Sequence, residues 1–193
     1  MSSMTPPAPK TCDGHSVGVI VTNGSARVLI GDRADGAGAA PPAGHVYDAH
    51  NNSRAAARAE VREETGLFVT DLTEITSGYR ANRCKRGDSE QGPGHTWHVF
   101  RAGAVGHIEA DPGSYTNLRW VSVPELRELT ARTIAYARGQ VSASEWAERP
   151  GIEPVWVLWL QLSGIGVDVP RHELEQIERV IEQGLDPRTE AAR

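Results

Sequence analysis

Apolar and polar positions alternate first in "SVGVIVTNGSARVLIGDR", where two β-branched runs, Val17 to Thr22 and Ala26 to Gly31, flank a turn around Asn23 and Gly24. This pattern predicts a hairpin of half-buried strands. The period then changes. After a Gly/Ala/Pro-rich loop with at most a short strand near His45 and Val46, "SRAAARAEVREETG" reads as a strong helix. Asn52 or Ser53 is competent to cap it, Gly66 is placed to stop it, and Ala57, Val61 and Thr65 form its apolar stripe. Two longer strands follow, in "VTDLTEITSGYRANRC" and "HTWHVFRAGAVG", then a short strand in "LRWVSV". A helix starting near Pro124 and running to about Tyr136 carries Leu126, Leu129 and Ile134 at core spacing.

Beyond about residue 140 the pattern is of another kind. "SASEWAER" and "PRHELEQIERVIEQGL" are helical, the second with Leu174, Ile177, Val180, Ile181 and Leu185 on one stripe. Between them, "GIEPVWVLWLQLSGIG" is apolar throughout, and periodicity does not separate a buried helix from a buried strand. The chain of 193 residues is 39% hydrophobic, enough for one good core and short for two. The expected organisation is a flexible tail over residues 1–13, a core over 14–140 and a helical extension over 141–193 packed on that core. A net charge of −5 and a pI near 5.8 argue against bulk nucleic-acid binding. Two cysteines are too few for a disulfide scaffold, and no apolar stretch suits a membrane span or a signal peptide, so the expectation is a cytoplasmic protein without membrane partners.

The chemistry concentrates in "AEVREETGL". At 3.6 residues per turn, Glu60, Glu63 and Glu64 fall within an arc of roughly 100 degrees, so their carboxylates share one helix face. Such a face is costly unless cations compensate it, and oxygen-only ligands favour hard ions such as Mg²⁺ or Mn²⁺. A solvated glutamate-rich face is the plain alternative, but the wider stretch "GHVYDAHNNSRAAARAEVREETGL" resembles the Nudix box, and Glu60 to Leu67 match it without exception. The resemblance implies an αβα sandwich with a mixed sheet, an α/β (α+β) class fold, over residues 16 to about 137. It also implies metal-dependent hydrolysis of a diphosphate bond in a nucleoside diphosphate derivative, such as a nucleotide or nucleotide sugar. By the same resemblance Glu60 and Glu64 are metal ligands, Glu63 is a ligand or catalytic base, and the carbonyl near Gly44 completes the shell. Glu153 and Glu90, outside the box, are further candidates for the base.

Two positions depart from the box. The family's arginine before the first helix glutamate is Ala59 here, and the loop glutamate is replaced by His50 in a loop one residue longer. Arg58 projects about 100 degrees away from the lost arginine's direction and is a poor substitute. These departures support a second reading, a Nudix-fold nucleotide-binding or regulatory module with weak or no catalysis. Arg33, Arg80, Arg83 and Arg86, the last two flanking Lys85, are candidates for gripping substrate phosphates. Cys12, His15, Cys84, His95 and His98 are metal-ligand types, but without a closely spaced pair their expected role is packing. The C-terminal extension is expected to cap the site or to form a homodimer contact.

Overall fold

The computed structural model describes residues 11–90 and 92–183. The first ten residues of the expected tail, and Leu185 of the last helical stripe, lie outside the described residues. Seven strands form one sheet: β1 (His15–Thr22), β2 (Val28–Arg33), β3 (Ala39–Ala40), β4 (Ala43–His45), β5 (Phe68–Arg80), β6 (His95–Val105) and β7 (Tyr115–Val121). The helices are α1 (Ser53–Thr65), α2 (Val123–Ala137), α3 (Ala143–Glu148), α4 (Pro154–Ser163) and α5 (Arg171–Gln183). The path through the sheet runs β3-β2-β1-β6-β5, with β4 also on β1 and β7 also on β2.

The parallel pair β1 and β6 is its spine, in register from His15 opposite Thr96 to Thr22 opposite Gly103. β1 meets β2 only at Thr22 opposite Val28, and further along it pairs instead with β4. The sheet therefore forks between β2 and β4. The second strand of the hairpin starts at Val28 rather than Ala26, because the Asn23 side chain accepts from the Ser25 and Arg27 amides at 3.0 and 3.1 Å and holds those residues in the turn.

Strand alternation sends side chains to two cores. Val17, Val19 and Val21 of β1, with Phe100 and Ala102 of β6, bury against Ala56, Ala57 and Val61 of α1. Ile20, Trp97 and Val99, on the other face, meet α2, α4 and α5 through Leu126, Trp156, Trp159 and Ile177. Helices on both faces of a mixed sheet make the αβα sandwich the sequence implies. Asn52 caps α1, accepting from the Ala55 amide at 2.9 Å, and Gly66 closes it at φ 77°.

The ambiguous apolar segment is the helix α4. Every residue from Pro154 to Leu160 is buried, so it has no polar face whose period would have marked it. It lies against the sheet at Gly18, where a Cβ would run into the Trp156 ring. Among the described residues, no helix is long and apolar enough to cross a membrane.

Candidate active site

The fork between β2 and β4 opens a cleft under the C-terminal half of α1. Arg33 reaches it from the end of β2, Gly44 from β4, and Glu60 and Glu64 from α1. The α1 stripe that buries Ala57 and Val61 fixes the helix's rotation, and that rotation aims the neighbouring acidic face at β4. Glu64 Oε2 accepts the Ala43 amide at 3.1 Å. The Glu60 carboxylate occupies the space a Cβ at Gly44 would fill, so any side chain there would push that carboxylate aside.

Both carboxyls resist ionisation. Burial raises the pKa of Glu60 to about 8, with Glu64, Glu63 and Asp48 adding to the rise. Burial also raises Glu64, to about 7, against the pull of the Ala43 hydrogen bond and the Arg33 charge. Burial opposes the charge on Arg33 as well, but Glu153 at 3.7 Å and a two-point contact with Asp35 at 3.2 and 3.0 Å hold its pKa well above the ordinary value.

Arg83, Lys85 and Arg86, from the loop after β5, also line the cleft, and Arg86 pairs with Asp48 at 2.7 Å. The cleft thus combines an acidic floor with a basic wall. Glu153, at the start of α4, also lines it.

Not every expected site residue is in the cleft. Glu63 is exposed one position along α1 and is absent from the described lining, although its charge is felt at Glu60. Arg80 is also absent from it, because its guanidinium stacks on the Trp159 ring at 4.4 Å from the centroid. Neither His50 nor Glu90 is among the lining residues. Arg58 is committed elsewhere, donating to the Val69 carbonyl at 2.9 Å, which bears out its unsuitability as a stand-in at Ala59. The cations that face the carboxylates are Arg33 and Arg86, distant in sequence from the box.

At the cleft, four side chains converge that sequence spacing did not unite: His45, Cys84 and His95, which line it, and the buried Cys12. His45 carried no signal of its own in the sequence. His15 and His98 take no part; the first packs edge-on against Tyr47 at 5.1 Å and the second bonds Glu74 at 2.8 Å. Cys12 is buried, so the residues just before β1 are packed in place rather than being tail. Burial opposes ionisation of Cys84, but its contacts with the His45 and His95 imidazoles outweigh it and bring its pKa down to about 5.

A family model for the NUDIX domain matches residues 14–141. The chain belongs to the Nudix family. Among solved structures, it is similar to the MutT Nudix hydrolase of Burkholderia pseudomallei (19% identity, TM-score 0.47), over 58% of this chain and 84% of that one. It is also similar to the E. coli dihydroneopterin triphosphate pyrophosphohydrolase (18%, TM-score 0.49), over 60% and 86% of the two chains. A Nudix hydrolase from Nitrosomonas europaea is a third (18%, TM-score 0.48), over 62% and 78%. No curated protein matches. Nudix hydrolases act on nucleoside diphosphate derivatives and generally use divalent cations, and the carboxylate floor of this Nudix domain suits that chemistry. Glu153 lies beyond the matched residues, so the cleft takes a wall residue from outside the family's own span.

Proposed function

We propose that this protein is a divalent-metal-dependent pyrophosphohydrolase that cleaves the diphosphate bond of a nucleotide or related nucleoside diphosphate derivative in the cleft beneath α1. The observation that carries the reading is the pair Glu60 and Glu64. Two neighbouring carboxyls, Glu60 against Gly44 and Glu64 on the Ala43 amide, are held at the cost of raised pKa values of about 8 and about 7, an arrangement that a dication would relieve.

The donor set fits Mg²⁺ or Mn²⁺: carboxylate oxygens, with the Gly44 backbone against the Glu60 carboxylate. Glu60 and Glu64 would hold the ion, with Glu63 at the open side. When bound, a divalent ion supplies charge neutralisation at the phosphate oxygens and makes a coordinated water more acidic. The chain's own residues do the rest. Arg83, Lys85 and Arg86 present positive charge to the non-bridging oxygens of the diphosphate, orienting it across the acidic floor. Glu153, which lines the cleft where Glu90 does not, takes a proton from water there, while its partner Arg33 keeps charge near Glu64. Residues 14–140 are read as the catalytic core and 141–193 as a helical extension whose contribution to the cleft is Glu153.

The test is incubation of the protein with a panel of nucleoside triphosphates, nucleotide sugars and dinucleotides, with Mg²⁺ or Mn²⁺, scoring nucleoside monophosphate and phosphate release. Metal-dependent product is expected, and its loss in Glu64→Gln. Full activity of that variant on an identified substrate would remove the site from consideration. Ala59 and His50 favour a second reading, a nucleotide-binding module, and calorimetric binding of a nucleotide without any metal-dependent product would select it.

A further inference from the structure

We propose that Cys12, His45, Cys84 and His95 form a closed, four-ligand zinc site, distinct from the carboxylate floor, which pins the segment before β1 and the loop segment carrying Arg83, Lys85 and Arg86 to the sheet at the cleft. Their candidate donor atoms all lie within 4.8 Å of one another. Cys12 Sγ is 3.6 Å from His45 Nε2 and 3.3 Å from His95 Nε2, and Cys84 Sγ is 3.4 Å from His45 Nε2. A tetrahedral ion bonded to sulfur at about 2.3 Å and to nitrogen at about 2.0 Å separates those atoms by roughly 3.5 Å. The three measured sulfur–nitrogen separations fall within about 0.2 Å of that value, and all four donors lie within 4.8 Å of one another.

The surroundings match a ligand shell rather than a packed core. The Gly14 amide points at Cys12 Sγ and the Arg86 amide at Cys84 Sγ, both at 3.4 Å, contacts that stabilise thiolate sulfur. His95 Nδ1 lies 3.2 Å from the Asn82 carbonyl. A carbonyl only accepts, so Nδ1 carries the proton and Nε2 turns its lone pair toward the cluster. Two thiolates and two imidazoles in this geometry select zinc over Mg²⁺ or Ca²⁺, which require oxygen donors. Each cysteine that is still a thiol exchanges its S–H bond for a Zn–S bond and gives its proton to solvent, while one already ionised binds as it stands.

With four protein ligands no position is left for water, so the site's role is structural. It ties residues from four places in the chain: the segment before β1, β4 beside Gly44, the loop that carries Arg83 and Arg86, and the start of β6. The ion would therefore set where the basic wall stands relative to the acidic floor, without touching substrate.

Metal analysis of the full chain, prepared without chelator from zinc-supplemented cells, tests this directly. About one tightly held zinc per chain is expected, surviving in Glu60→Gln and Glu64→Gln and lost in a Cys12→Ala/Cys84→Ala double variant. The wild-type chain reconstituted with Co²⁺ should show intense visible d–d bands of a tetrahedral site and a near-ultraviolet thiolate charge-transfer band, a readout that needs no variant to fold. Absence of zinc from the wild type, a Co²⁺ spectrum of octahedral type, or zinc lost in the glutamate variants but kept in the cysteine variant would each overturn the proposal. So would a Cys12–Cys84 disulfide in the metal-free wild type under reducing purification.

Discussion

The carboxylate floor and the Cys/His cluster sit side by side, joined through the consecutive residues Gly44 and His45, yet they are assembled in opposite ways. The floor takes its paired carboxylates from one turn of one helix, so its chemistry is written at spacing four in the sequence. The cluster takes its ligands from residues 83 positions apart at the extreme, and nothing local in the chain unites them. The contrast teaches that a helix carries its functional face as a short-range pattern, while a site made of strand ends exists only through the pairing of those strands. It also separates their chemistry within one cleft: the hard carboxylate oxygens of Glu60 and Glu64 line it together with the softer sulfur and imidazole donors of Cys84, His45 and His95.

The largest effect that would sharpen this contrast is on catalysis. Glu64→Gln is expected to lower kcat by about a hundredfold or more on an identified substrate, since a lost charge ligand costs several kcal/mol and each 1.36 kcal/mol is tenfold in rate. The Cys12→Ala/Cys84→Ala double variant should instead lower the melting temperature and raise KM more than it lowers kcat, as expected if the cluster positions a wall. Equal loss of kcat in both variants would merge the two sites into one.

A smaller effect is expected from Arg86→Ala, which bridges the regions by pairing with Asp48 and by following Cys84 in the loop. KM should rise about tenfold with kcat nearly unchanged, as for a lost charge-assisted contact of 1.5 kcal/mol or so. An unchanged KM would take the basic wall out of substrate binding.

The pH dependence of the chain without added divalent ion follows from Glu60. Its carboxyl holds a proton up to about pH 8 when folded, against an ordinary value of 4.5. Between those values the unfolded chain has released the proton and the folded one has not, so stability falls as pH rises from about 4.5 to about 8. Thermal melts across that range should show the decline, and millimolar Mg²⁺ should flatten it at the alkaline end. A melting temperature independent of pH and of Mg²⁺ would argue that the floor is already neutralised by other groups.

Ala59→Arg, which restores the residue usual at that position of the box, is expected to have the smallest effect, less than about tenfold on kcat/KM, because Arg33 and Arg86 already supply positive charge to the carboxylates. A larger gain in rate would show that those two arginines do not replace it.

Much of the fold was legible along the chain. The Asn52 cap, the Gly66 stop and the buried stripe of Ala57, Val61 and Thr65 follow from local preference and period, and the structure keeps all of them. The strand positions followed from alternation, with the hairpin's second strand displaced by an Asn23 turn whose side-chain bonds no period reports. For α4 the sequence was silent because burial on every side erases the helical period. Arg80 was misplaced for a related reason: a basic cluster signals charge, but strand geometry decides which members face the cleft and which stack on Trp159.

By itself, then, the sequence determined the helix that carries Glu60, Glu63 and Glu64, the family it belongs to and the class of ion its acidic face suits, since all of these depend on neighbours within a few residues. Only the tertiary structure decided that Gly44 yields its space to Glu60, that Arg33, Arg86 and Glu153 complete the cleft, and that Cys12, His45, Cys84 and His95 meet. Those contacts depend on the parallel register of β1 with β6 and on the fork that brings β4 to β1, long-range pairings that no local period encodes.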